Sequence, residues 1–175
     1  QDMFVLMFLL RGLPFVDLAY LRKSDLRDNV ITYRRRKTGR PLSVTLTPEA
    51  LELLKKYMNR DSHSPYLFSL LKSGEGTKEA YREYQLALRS FNQQLTLLGE
   101  VLGLNDKLSS YTARHTWATT AYYCEIHPGI ISEAMGHSSI KVTETYLKPF
   151  RNKKIDEANN QIIDFVKHSI AGVVS

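Results

Sequence analysis

Two short β-type runs, Val30-Ile31-Thr32-Tyr33 and Leu42-Ser43-Val44-Thr45-Leu46, interrupt a chain whose other apolar residues recur mainly at helical spacing. The runs flank Lys37-Thr38-Gly39-Arg40, with Gly39 suited to the positive φ of a turn, so they are expected to pair as a hairpin. The fold class that follows is mainly α with a small antiparallel β-sheet (α+β). Arg34, Arg35, Arg36, Lys37 and Arg40 make this hairpin strongly basic.

The helical segments can be placed around it. Residues 2–11 read as a buried helix that Gly12-Leu13-Pro14 breaks, and a second short helix runs from Phe15 to Leu21 with Pro14 near its first turn. Asp25 to Asn29 turns the chain into the hairpin. Thr47-Pro48-Glu49 supplies an N-cap, an N1 proline and a first-turn acid for a helix ending near Arg60. Ser69 to Lys78, with Gly74 and Gly76, is the best candidate for a mobile loop. From about Lys78 to Leu102 a long helix carries Tyr81, Tyr84, Leu88, Phe91, Leu95 and Leu98 on one face, a core stripe. Ser109 or Ser110 can cap the next helix, on which Tyr111, Arg114 and His115 share a face. A short helix over Pro128 to Met135 and a final amphipathic helix, residues 155–168, complete the pattern.

Composition bounds the chain further. With 175 residues, 43% of them hydrophobic, one well-buried domain is expected over 1–175. A formal net charge of +6 favours an anionic partner. The single cysteine, Cys124, excludes an internal disulfide and any multi-cysteine metal site, which makes an intracellular, cytoplasmic setting the default. The longest apolar run, Met3 to Leu10, falls far short of the roughly 20 residues that span a bilayer. No start Met or basic segment precedes it, so it is not a signal peptide, and the chain reads as a piece of a longer protein.

The chemistry is carried by a spaced set. Tyr146 lies nine residues after His137, and Arg114-His115-Thr116 lies upstream of both. A phenol with its usual pKa of about 10 is a poor nucleophile. To attack phosphorus it needs cationic partners that stabilise the charge moving onto the phosphate oxygens, and an arginine fork with a histidine donor supplies them.

The segments 108–120 (Leu-Ser-Ser-Tyr-Thr-Ala-Arg-His-Thr-Trp-Ala-Thr-Thr), 133–139 (Glu-Ala-Met-Gly-His-Ser-Ser) and 143–146 (Thr-Glu-Thr-Tyr) together closely resemble the end of the tyrosine recombinase (phage integrase) catalytic domain. The resemblance extends from about Met3 to Phe165 and implies the DNA breaking-rejoining catalytic fold. It implies that Tyr146 attacks a scissile phosphate, forms a 3′-phosphotyrosyl link and releases a 5′-hydroxyl, with no metal, no ATP and no other cofactor. Arg114 matches an arginine that holds two non-bridging oxygens, and His137 a histidine that donates to the same phosphate. Lys37 matches the hairpin lysine that protonates the leaving 5′-oxygen, and Asp17 an acidic position that supports the site. Arg34, Arg35, Arg36, Arg40 and His115 are the candidate DNA contacts.

Two positions depart from the family pattern. Tyr111 stands where a histidine is usual, and Pro14 stands where the first arginine is expected; Arg11, one turn earlier, is the nearest replacement. Both departures are similar to integrases of Bacteroides-type conjugative transposons and other mobile elements. The implied partners are double-stranded DNA and further copies of the chain in a synaptic tetramer on DNA, with no membrane. A nucleoid-associated bacterial protein with an additional N-terminal DNA-binding domain is expected. Strand relaxation of the type IB topoisomerase kind, or an inactive DNA-binding domain, are the alternatives.

Overall fold

The computed structural model describes residues 1–147 and 152–171, with side chains described over 1–147 and 154–166. Helix α1 (Asp2–Leu9) ends in a tight closure rather than running to Arg11. Arg11 and Gly12 both take positive φ, 59° and 67°. The Leu13 N–H then reaches back to Met7 O at 2.9 Å and the Gly12 N–H to Phe8 O at 3.3 Å. Pro14 caps α2 (Phe15–Tyr20) in extended conformation.

A three-stranded antiparallel sheet follows, in the order β1 (Leu26–Arg27), β2 (Val30–Arg34), β3 (Pro41–Thr45). The hairpin β2–β3 forms as its sequence predicts, in the register Ile31 opposite Val44 and Tyr33 opposite Leu42. Strand β1 lies where only a turn is expected. Asp28 and Asn29, both at positive φ, make a two-residue hairpin loop that leaves Leu26 and Arg27 free to pair with β2.

Thr47 caps α3 (Pro48–Tyr57), accepting from the Ala50 N–H at 3.3 Å, and Thr77 caps α4 (Lys78–Val101) in the same way at 3.1 Å. The segment expected to be mobile is anchored on α4. The Glu83 carboxylate accepts from the N–H of Lys72 and Ser73 and from Ser73 Oγ, while the Tyr66 hydroxyl donates to Ser73 O. Of the α4 stripe, Leu95 is buried, Phe91 stacks on Phe15 with ring centroids 4.8 Å apart, and Tyr84 and Leu88 pack against the core. Tyr81 is exposed, because the stripe leaves the core at its first turn.

The remaining helices are α5 (Thr112–Tyr123), α6 (Pro128–Ala134), α7 (Ile140–Glu144) and α8 (Asn152–Ala171). Neither serine side chain caps α5; Ser109 places its carbonyl on the Thr112 N–H instead. The buried residues form two clusters. The larger one joins α1, α2, the sheet and α3 through Leu6, Met7, Leu18, Ile31, Val44 and Leu54, and the smaller one gathers Ala118, Ile131, Met135 and Tyr146. Helix α5 belongs to both, with Ala113 in the first and Ala118 in the second. Arg114 is therefore held at the seam.

The close approach of Gly12 to α5 sets that seam. A Cβ on Gly12 would stand 2.8 Å from Arg114 Cα, whereas Gly39, at nearly the same φ, has open space around it. Gly39→Ala measures the left-handed backbone penalty alone, about 1–2 kcal/mol. Gly12→Ala adds a main-chain clash and should cost a further ~1–3 kcal/mol in urea unfolding. Equal losses would show that α5 yields freely at this contact.

Candidate active site

Arg114 is 2% exposed, and its guanidinium is fixed by main-chain carbonyls from both sides of the seam. Nη1 donates to Gly12 O at 2.8 Å, and Nη2 donates to Met135 O at 2.7 Å and to His137 Nε2 at 2.9 Å. Nε is buried with no acceptor among the described residues. Burial, followed by the charge of Arg35, lowers the Arg114 pKa, while interaction with the Tyr146 side chain acts the other way.

Because a guanidinium has only donors, His137 must accept at Nε2, which leaves its proton on Nδ1, facing Thr143 Oγ1 at 2.8 Å. Burial, together with the charges of Arg114, Arg35 and Lys37, pushes the His137 pKa down to about 4. The ring is neutral at physiological pH. Gly136, at φ 64°, makes the approach possible, since a Cβ there would lie 2.7 Å from Arg35 Cδ.

Arg35 is the second guanidinium of the site. Its Nε donates to Asp17 Oδ2 at 3.2 Å and its Nη1 to Met135 O at 2.9 Å, the carbonyl that Arg114 also uses. Asp17 Oδ1 accepts the Arg36 N–H at 2.9 Å, so one buried carboxylate fixes two successive hairpin residues. Burial raises the Asp17 pKa against the pull of the Arg36 N–H and the Arg35 guanidinium. The hairpin also reaches the loop after α6. Thr38 Oγ1 donates to Gly136 O at 3.3 Å, and Arg40 donates to His137 O. Lys37 stands exposed at the tip, its charge acting on His137.

Tyr146 is 9% exposed, with its ring stacked on His137 at 5.1 Å and facing His115 at 4.6 Å. Its carbonyl accepts from Thr119 Oγ1 at 3.1 Å, which ties α5 to the segment after α7. Its hydroxyl shares a hydrogen bond with the Tyr111 hydroxyl. Burial and that bond raise the Tyr111 pKa, although the Tyr111 side chain remains 46% exposed.

The structure thus brings Arg114, His137, Tyr111 and Tyr146 together, with Lys37 at the rim. Arg11, at a left-handed backbone position, places its Nη1 on Ser43 O of β3 at 3.2 Å, and its charge acts on Tyr33 together with those of Arg35 and Arg114. Arg35, expected among the surface DNA contacts, is buried beside Arg114. The other hairpin arginines have their own partners: Arg34 bonds Gly39 O, Arg36 pairs with Glu75, and Arg40 holds His137 O. His115 packs on the phenol pair, exposed on its other side.

Comparison with known proteins places the chain in a family. Residues 2–153 match the phage integrase family. The chain belongs to that family. Among curated relatives it is similar to the tyrosine recombinase XerC of Haemophilus ducreyi, 28% identical over 134 residues, which cover 74% of this chain and 42% of that protein. It is equally similar to the tyrosine recombinase XerA of Pyrococcus furiosus, 28% identical over 140 residues, covering 78% and 46%. The chain spans about half the length of the curated relatives it matches. Among solved structures, a XerA recombinase matches with a TM-score of 0.61 at 22% identity, covering 90% of this chain and 54% of that one. The Tn1549 transposon integrase, solved with transposon right end DNA, matches at 0.65 and 16%, covering 93% and 58%. The fold of this phage integrase family member is that of tyrosine recombinase catalytic domains. Among the described residues no helix is long and apolar enough to cross a membrane, and no three His, Cys, Asp or Glu side chains gather into a metal-binding group.

The lowered His137 pKa has a measurable consequence. The folded value of about 4 lies below the ordinary 6.5, so the unfolded chain takes up this proton first as pH falls. The stabilisation from a neutral His137 is complete above pH 6.5 and is lost between 6.5 and 4. The stability advantage of the parent chain over His137→Gln, from urea titrations, should therefore shrink across that window. A difference independent of pH would assign the ring an ordinary pKa.

Proposed function

We propose that this chain is the strand-transferase part of a site-specific DNA recombinase, working through a 3′-phosphotyrosyl intermediate. The observation that carries the reading is a buried phenol stacked on His137 beside two guanidiniums, one of which, Arg114, has a buried Nε donor with no acceptor among the described residues. A phosphate oxygen is the acceptor such a donor lacks.

In this mechanism Tyr146 Oη forms a bond to phosphorus as the bond to the 5′-oxygen breaks. Arg114 and Arg35 hold the non-bridging oxygens, where charge accumulates in the transition state. Once a phosphate oxygen takes over the Arg114 Nη2 donor, His137 Nε2 is free to bind a proton and donate to the same phosphate. The phenol proton leaves through the Tyr111 hydroxyl, which joins the buried Tyr146 to water. Lys37, exposed and mobile on its stem, delivers a proton to the departing 5′-oxygen. Rejoining reverses each transfer. No nucleotide energy is needed, because the phosphotyrosyl bond retains that of the broken linkage.

Double-stranded DNA is the proposed substrate, and further copies of the chain complete the reaction as a synaptic tetramer. An N-terminal domain of the full protein would close the other side of the duplex. Helix α8 supports the assembly reading. The Lys154 to Glu125 ion pair holds its start near α5, while Ile155 and Ile162 are 56% and 64% exposed along it. The expected docking helix, 155–168, lies inside α8, with the side chains of 167 and 168 outside the described residues.

A suicide duplex with a nick beside the cleavage point tests the reading. The parent chain should accumulate a covalent adduct on a denaturing gel, and Tyr146→Phe should form none while binding DNA as well as the parent. An adduct persisting in the variant would place the nucleophile elsewhere. Replacing the bridging 5′-oxygen by sulfur, whose thiolate leaves without a proton, should rescue Lys37→Ala and leave Arg114→Ala inactive. The second guanidinium is tested by Arg35→Lys, which keeps the charge and loses the fork. It should slow cleavage on the order of 10²- to 10³-fold, with Arg11→Ala close to the parent. The reverse order would return the role to Arg11.

A further inference from the structure

Outside the site described, one ion-paired cluster has the shape of a second phosphate contact. Glu75 presents each carboxylate oxygen to a different arginine: Oε1 accepts from Arg36 Nη1 and Oε2 from Arg22 Nη2, both at 2.5 Å. Two guanidiniums, each giving one N–H to a different oxygen of one anion, can grip the two non-bridging oxygens of a phosphodiester in the same way. We propose that Arg22 and Arg36 form a binding site for a backbone phosphate of DNA, and that Glu75 occupies it as an internal competitor until DNA displaces the carboxylate. The inference rests on the strand-transfer reading and adds a contact and a control to it.

The Arg36 guanidinium is held in place without Glu75, and Arg22 is held so through its main chain only. The Arg36 guanidinium lies over the Tyr20 ring at 3.7 Å, and its main-chain N–H is fixed on Asp17. Arg22 is held by its main chain, its N–H donating to Asp25 Oδ2 at 2.8 Å and its backbone bridging to Tyr66. Both neighbouring carboxylates, Asp17 and Asp25, are thus already engaged by main-chain donors. Glu75 is the acid bound to the guanidiniums themselves. It sits between Gly74 and Gly76, the latter at φ +86°, and an added Cβ on either would meet nothing within 4 Å. The carboxylate therefore rides on an unpacked turn whose stem is fixed at Ser73 and Thr77.

Energetics favour exchange. The three side chains are 48%, 35% and 34% exposed for Arg22, Arg36 and Glu75, so these ion pairs are of the weak, solvent-screened kind. A polyanion that releases counterions on binding displaces such a carboxylate readily. The space is there as well: a cleft of about 250 Å³ lies beside the pair, lined by Arg22, Arg34, Arg36 and Glu75, with the main-chain-engaged Asp17 and Asp25 also on its wall. Its position fits the reaction. Arg36 immediately precedes Lys37, and Asp17 links Arg36 to Arg35, so a phosphate held here is registered against the scissile one through a single rigid hairpin turn.

The test is the affinity of a fluorescein-labelled duplex, read by anisotropy over a salt series, for the parent chain and its variants. Glu75→Gln removes the competing charge with little change of size. It should tighten binding by about 3- to 10-fold at low salt and steepen the salt dependence by about one phosphate contact or more. Arg22→Ala and Arg36→Ala should each weaken binding and flatten the slope by about one. In the Arg22→Ala/Arg36→Ala background, adding Glu75→Gln should have no effect. Thermal melts followed by circular dichroism confirm that each variant is folded.

Unchanged or weaker binding by Glu75→Gln would overturn the inference, since the carboxylate would then be idle or a support for the arginines. Equal tightening in the double-arginine background would overturn it too, as a general charge effect. Both results leave the strand-transfer reading standing. Absence of any salt-dependent DNA binding by the parent chain would instead sink that reading, and this inference with it.

Discussion

The buried Arg114 guanidinium binds the two halves of the molecule into one site. Its donors take the carbonyl of Gly12, at the end of the first helix, and the carbonyl of Met135, at the end of the sixth. A charge withdrawn from water to this degree costs several kcal/mol unless dipoles or counter-charges replace the lost hydration. Here two main-chain carbonyls and a neutral imidazole do so in part, and the surrounding fold holds them there. Arg35 adds a second buried positive charge, and Asp17 is the carboxylate that pairs with it. The pocket is left with an excess of positive charge and a buried N–H donor, which is an environment organised for an anion before the anion arrives.

The hairpin owes its position to this electrostatic arrangement as much as to apolar packing. Ile31 and Val44 fasten the sheet to the core, but the turn beyond them is fixed by Asp17 on Arg35 and Arg36, and by Thr38 and Arg40 on the Gly136-His137 loop. Lys37 is thereby presented at the rim of the site, where its charge acts on His137. The same turn carries Arg36 toward Glu75, so site and cleft share one support.

Much of this was readable from residues alone, and the exceptions have physical causes. The hairpin, the breaks at Gly12 to Pro14, the Thr47 cap and the long fourth helix follow from period and capping chemistry, and the comparisons bear out the mainly helical fold and the family. Strand β1 escaped because two residues carry no period. Arg35 was hidden in a basic run that reads as surface. The strand period held the signal: counting by two from Ile31 through Tyr33 puts Arg35 on the inward face, while Arg34 and Arg36 point out. The left-handed closure of α1 at Arg11, and its bond to Ser43 O, also lay outside what helical periodicity could show. The Tyr111 to Tyr146 bond, and the role of Glu75 between two arginines, join residues so distant in sequence that no local pattern predicts them.

The most direct test of Tyr146 as the proposed nucleophile is a structure of the chain with cleaved DNA and vanadate, which adopts the five-coordinate geometry of phosphoryl transfer. Vanadium should be bonded to Tyr146 Oη at one apex, with Arg114 and Arg35 donating to the equatorial oxygens and Lys37 near the opposite apex. Vanadium bonded to Tyr111 or another phenol, or Arg11 in place of Arg35 on the equatorial oxygens, would refute these roles.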